Sequence, residues 1–141
     1  SYYRQDDNGH YQDTTGCGNS LNFANPQVVQ MVIESLRYWT EEMQVDGYRF
    51  DLATTLARNE ANHFDPNHPL LRAINDEPAF AATKMIVEPW DVGLGGWQTG
   101  NFPDRFSEWN DRFRDSVRRF WLSDIAAARN GGNQGFLRKA A

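Results

Sequence analysis

The chain has 141 residues, 40% of them apolar and 23% charged, with a formal net charge of -5, a composition that can bury one core and is neither disordered nor fibrous. The acidic balance argues against nucleic-acid binding, which depends on clustered Lys and Arg. No apolar run reaches the roughly 18 residues of a membrane span, and no basic-then-apolar leader is present. Cys17 is the only cysteine, so no intrachain disulfide can form and a reducing, cytoplasmic setting is expected.

In chain order, residues 1–25 are rich in Asn, Asp, Gly, Thr and Tyr and read as an ordered loop. Asp6, Asp7, Asp13 and Asn19 offer oxygen ligands without calcium-loop spacing. His10, His63 and His68 lack paired metal-site spacing and read as polar loop residues. No metal and no cofactor is expected. Asn25 and Pro26 open a helix whose buried stripe is predicted at Val28, Val32, Leu36, Trp39 and Met43.

Tyr48 to Leu52 alternates aromatic or aliphatic with charged residues, the period of a strand. Residues 54–68 read as a loop. Pro69 starts a second helix that Pro78 interrupts, and Thr83 to Val87 is a short, apolar, buried parallel strand ending at Glu88. Residues 91–104 form a shaped loop with Trp97; Gly93 to Gly96 lacks the Lys-Ser/Thr of a phosphate loop. Residues 105–110 read as a third strand. Asp111 is expected to cap the next helix, with Phe113, Val117, Phe120 and Trp121 on its apolar face and Arg112, Arg114, Arg118 and Arg119 solvated. The stretch Asn130 to Asn133 reads as loose.

This order makes an α/β protein with parallel strands, either doubly wound or an eight-stranded barrel. Charged residues projecting from strand positions favour a barrel, whose C-terminal strand ends converge on one site and could gather Arg49, Asp51 and Glu88. Arg49 and Asp51 lie two apart and share a strand face, so the guanidinium can hold the carboxylate. That arrangement suits a nucleophile that must be anionic. Glu88 supplies a second strand-end carboxylate, and retaining glycoside hydrolysis uses such a pair at roughly 5–5.5 Å. Taken alone these signals are weak, since an Arg and an Asp two apart on a strand more often make an ordinary ion pair, and Glu88 alone is equally bland.

The context separates these readings. Asp46-Gly47-Tyr48-Arg49-Phe50-Asp51-Leu52-Ala53 is followed by Ile86-Val87-Glu88-Pro89-Trp90-Asp91, and the loop Asp13 to Asn22, Gly100 to Pro103 and Glu108 to Asp111 stand around them in order. These strings resemble the α-amylase superfamily of glycoside hydrolases, and within it the isoamylase-like bacterial debranching enzymes, over about residues 2–122. The resemblance implies a partial (β/α)8 TIM barrel, roughly its third to sixth units, with Asp51 as nucleophile, Glu88 as general acid/base and Arg49 as the residue that positions Asp51. Trp90 is taken as substrate-binding, with Trp97 open between stacking on sugar and packing. Trp39 and Trp121 are expected in the core, and Trp109 is undecided.

The family also places an Asp–His pair on an earlier strand and a His–Asp pair on the seventh, and none of these four is found in this sequence. The chain is therefore expected to be one piece of a catalytic domain, with loop 1–25, barrel units 26–122 and a tail 123–141, inactive and poorly soluble by itself. The implied partner is a branched α-glucan. Two alternatives stay open: action on α-1,4 or trehalose-type links, and a carbohydrate-binding relative that has lost catalysis.

Overall fold

The computed structural model describes residues 1–123 together with 125 and 129. The stretch Asn130 to Asn133 lies outside them. Two compact units divide the chain, Ser1–Trp109 and Asn110–Ala141.

In the first unit, residues 1–25 form an irregular layer stitched by isolated antiparallel bridges, Tyr3 to Leu21 and Gln5 to Tyr11. Helix α1 spans Pro26–Glu41, and the Asn25 side chain accepts from the Gln27 N–H ahead of Pro26. This cap satisfies an amide that has no partner within the helix. Strand β1 is Gly47–Phe50, and a 3-10 turn follows at Ala53–Ala57 where the sequence suggests a loop. Helix α2 covers Pro69–Asp76, and Pro78 begins a separate 3-10 turn, Pro78–Phe80. Strand β2 is Lys84–Val87 and β3 is only Ser107–Glu108.

The sheet order is β1-β2-β3. Both pairings are parallel, with Phe50 opposite Val87 and Val87 opposite Glu108. The strands thus end side by side. Gly47 is fixed by this pairing, because a Cβ there would stand 2.7 Å from the Lys84 carbonyl oxygen. Leu70, Leu71 and Ile74 of α2 pack with Val28, Ile33 and Leu36 of α1, Phe80, and Met85 and Val87 of β2. Burying each such side chain is worth about 1.5–3 kcal/mol. Only Met85 and Val87 of β2 are fully buried, so this strand is sealed on one face rather than both.

Two burial expectations are corrected in this unit. Trp39 is 49% exposed and Met43 is also exposed. Periodicity assigns a residue to a helix face, but α1 carries its last turn beyond the layer that covers Leu36. His68, read as a polar loop residue, is buried: its Nδ1 accepts from the Leu70 N–H at 3.2 Å and caps α2. Burial first, and the Arg4 cation less strongly, lower the His68 pKa against the opposing pull of Asp65.

The second unit holds α3, Asp111–Arg118, capped by the Asn110 side chain rather than by Asp111. Asp111 instead occupies the first turn and Arg118 the last, each complementing the helix dipole. A π turn follows at Arg119–Ser123. Phe113, Val117, Phe120 and Trp121 are exposed, so Trp121 is not a core residue, because no described element of this unit covers the stripe. Arg112, Arg114, Arg118 and Arg119 are exposed as expected.

Candidate active site

The three strand ends bring the candidate residues together. Arg49 projects from β1 and forks: Nη1 lies 2.9 Å from Asp51 Oδ1, and Nη2 lies 2.9 Å from Glu88 Oε2. One guanidinium therefore holds both carboxylates. Its carbon sits 4.3 Å from the centre of the Trp109 ring at the end of β3, a cation–π contact that stiffens the fork. Trp109 reaches that position because its N–H bonds the Val87 carbonyl at 3.0 Å.

Strand β1 ends at Phe50, so Asp51 and Leu52 occupy a turn rather than the strand predicted for them. Leu52 takes the left-handed conformation, φ 42, which a residue with a Cβ adopts only at a cost. That twist aims the Leu52 N–H at Glu88 Oε2, 3.0 Å away. The Glu88 main chain is fixed on both sides, its N–H to the Phe50 carbonyl and its carbonyl to the Ala53 N–H. The two carboxylates differ in setting. The Asp51 side chain is 72% exposed, whereas that of Glu88 is 13% exposed.

Trp90 is half-buried two residues after Glu88, with its N–H bonded to the Glu88 carbonyl. Trp97 is exposed farther along the same loop. A cleft of about 350 Å³ opens beside Asp51, walled by Leu52, Leu56, Leu21, Phe23, Cys17 and Asn19. A larger cavity of about 480 Å³, lined by Arg4, Asp7, Glu60 and Asn62 among others, includes neither carboxylate.

Behind the fork lies an ion pair that sequence reasoning missed. Arg58 Nε meets Asp91 Oδ2 and Arg58 Nη2 meets Asp91 Oδ1, both at 2.8 Å, with the side chains 2% and 0% exposed. Asp91 also accepts from Thr55 Oγ1 and from the Gly93 N–H. Arg58 reaches the Leu94 carbonyl at 3.0 Å and the Asn62 carbonyl. Thr14 joins from the first loop, its hydroxyl 2.9 Å from that of Thr55. The glycines of 93–96 serve this packing: a Cβ on Gly93 would meet Thr14 Cγ2 at 2.6 Å, and one on Gly96 would meet Asp91 Oδ1 at 2.3 Å.

Two acidic residues of the first loop, Asp13 and Asp6, are spent on local turns. Asp13 accepts from the N–H groups of Thr15, Gly16 and Gly18 and from the Thr15 hydroxyl, and these donors, the Thr15 N–H foremost, hold its pKa at about 2. Asp6 accepts from the Asn8 and His10 N–H groups. Among the described residues, no group of three or more His, Cys, Asp or Glu is disposed to hold a metal ion.

Residues 10–123 match the α-amylase catalytic domain. The chain belongs to the α-amylase family. It is 52% identical over 122 residues to proteins named glycogen debranching enzyme from Escherichia fergusonii and Yersinia enterocolitica, an overlap covering 86% of this chain and 18% of each relative. The chain thus spans about a fifth of those relatives' length. Among solved structures, a pullulanase from Bacillus acidopullulyticus shares 28% identity at a TM-score of 0.64, over 82% of this chain and 14% of that one. A type I pullulanase from Bacillus subtilis, complexed with maltose, shares 26% identity at 0.65, over 82% and 16%. The parallel β1-β2-β3 sheet with its helices is accordingly a portion of the family's (β/α)8 barrel.

Proposed function

We propose that this chain carries the nucleophile and the acid/base of a retaining glycosidase that hydrolyses α-1,6 branch links in glycogen or related α-glucans. The observation that carries the reading is the Arg49 fork, which holds Asp51 and Glu88 on one cation at the ends of adjacent parallel strands. The debranching names of the relatives favour α-1,6 over α-1,4 links. The segment corresponds to roughly the third to sixth barrel units. The remaining units belong to a longer, cytoplasmic polypeptide, and the 141-residue chain alone does not turn over substrate.

The chemistry assigns each group a step. An Asp51 carboxylate oxygen attacks the anomeric carbon while the glycosidic oxygen departs with the Glu88 proton, leaving a glycosyl ester on Asp51. Both donors to Glu88 fall on Oε2, and Oε1 is the oxygen assigned to the proton. Glu88, now a carboxylate, takes a proton from water, whose oxygen displaces Asp51 from the anomeric carbon and restores the original configuration. Arg49 holds the Asp51 carboxylate in place. The Trp90 indole offers a flat apolar face for a glucose ring beside the acid/base.

The test is debranching of a branched α-glucan by the full-length polypeptide containing this sequence. Asp51→Asn and Glu88→Gln are each expected to lower kcat by at least about 100-fold. Debranching that survives either substitution overturns the assignment. Cleavage confined to linear α-1,4 glucan overturns the bond specificity alone.

A further inference from the structure

We infer that Arg58 and Asp91 are positioning residues for Glu88, a role that rests on the acid/base assignment proposed above. Three observations carry it. First, the pair is a two-bond fork sealed from solvent, and in so dry a setting an Arg–carboxylate fork has little angular freedom. Second, its two members stand on the two segments that deliver the catalytic carboxylates. Asp91 lies three residues beyond Glu88 across the buried Pro89, and Arg58 directly follows the 3-10 turn that begins two residues after Asp51. Third, each member holds more than the other: Asp91 takes the Thr55 hydroxyl and the Gly93 N–H, and Arg58 takes the Leu94 carbonyl.

The consequence is geometric. Glu88 is bonded to its neighbours at its N–H, its carbonyl and Oε2, and the chain leaving it is tied by the Gln98 N–H to the Pro89 carbonyl and, one step on, by the buried fork at the Asp91 side chain. Because Pro89 limits rotation between Glu88 and Trp90, a displacement at Asp91 is transmitted to the acid/base. The pair touches no substrate. It acts by keeping the Glu88 carboxyl within reach of the leaving oxygen, where an error of about 1 Å costs on the order of 100-fold.

The test compares two substrates in the full-length polypeptide, through kcat/KM, which reports formation of the glycosyl ester. A branched glucan has an alkoxide leaving group that must be protonated, whereas an α-glucanosyl fluoride has a leaving group that hardly needs it. Asp91→Asn and Arg58→Lys are expected to lower kcat/KM on the branched glucan by about 100-fold and on the fluoride by no more than about threefold, as for an enzyme whose acid is misplaced. Equal losses on both substrates, or no loss on either, overturn the inference.

Arg58→Met combined with Asp91→Leu separates positioning from stability, since an apolar pair of similar volume can restore folding. This double variant is expected to melt above Asp91→Ala but below the parent, because the Gly93 N–H and the Leu94 carbonyl lose their partners, and still to discriminate between the substrates. Recovery of branched-glucan turnover together with the melting temperature overturns the inference. Glu88→Gln is the reference. If it fails to discriminate between the two substrates, the acid/base assignment falls and takes this inference with it. If it discriminates and Asp91→Asn does not, only this inference falls.

Discussion

Two arginine forks lie nine residues apart along the chain and do opposite work. Arg49 divides its guanidinium between Asp51 and Glu88 in a half-open site, while Arg58 gives two hydrogen bonds to the single carboxylate of Asp91 in a dry one. In the open fork, water competes with every contact, so the pair contributes little to stability and remains free to rearrange around substrate. In the dry fork, removing one partner leaves a charge with no solvent to receive it. The same residue types thus make a reactive centre in one place and a rigid mount in the other, and solvent access is the variable that separates them.

Substitutions can break this contrast or sharpen it. Asp91→Ala is expected to destabilise the fold by about 3–5 kcal/mol, the usual cost of orphaning a buried partner, whereas Asp51→Asn is expected to stay within about 1 kcal/mol. Thermal or urea unfolding of the two variants measures both, and equal losses would erase the distinction between the forks. A smaller effect is expected at Gly96, where an added Cβ would stand 2.3 Å from Asp91 Oδ1. Gly96→Ala should cost about 1–3 kcal/mol by overpacking, and should keep most of that cost once Asp91 has been replaced by Ala, because the Cβ would also stand 2.5 Å from the Asp91 carbonyl oxygen and 2.8 Å from that of Gly93.

The smallest expected effect is one of pH. The folded-state pKa of His68 is lowered by burial, so the folded protein favours the neutral ring. Its contribution is complete above the unfolded value near 6.5 and is lost as pH falls below that value toward the folded one. Stability measured between pH 8 and 5 should therefore decline on acidification, and His68→Asn should flatten that part of the curve. An unchanged slope in the variant would show that His68 does not titrate against folding in this range.

Much of the open fork was legible in the sequence, because its logic is local. Arg49 and Asp51 are two positions apart, and Glu88 ends the next buried run. The helix starts at Asn25-Pro26 and Pro69 were legible for the same reason, since a cap and a fixed φ act within one turn. The dry fork was not. Arg58 and Asp91 are 33 residues apart, and no local period ties a cation to a carboxylate at that distance. One clue was available: Asp91 closes the string Glu88-Pro89-Trp90-Asp91, directly before a glycine-rich loop that needs an anchor. His68 was misjudged because sequence shows a polar side chain in a turn but not the layer that closes over it. Trp39 was misjudged for the converse reason, since an apolar position on the correct face is buried only where a neighbour extends far enough to cover it.

Leu52 illustrates a division of labour within one residue. Its side chain helps wall the cleft beside Asp51, while its left-handed backbone presents an N–H to Glu88. A side-chain scan probes the first role and leaves the second untouched, because every substitution except proline retains the donor. The backbone contribution to the acid/base is therefore a matter for atomic replacement rather than mutagenesis: exchanging the Leu52 amide for an ester would delete one hydrogen bond to Glu88 while preserving every side chain in the site.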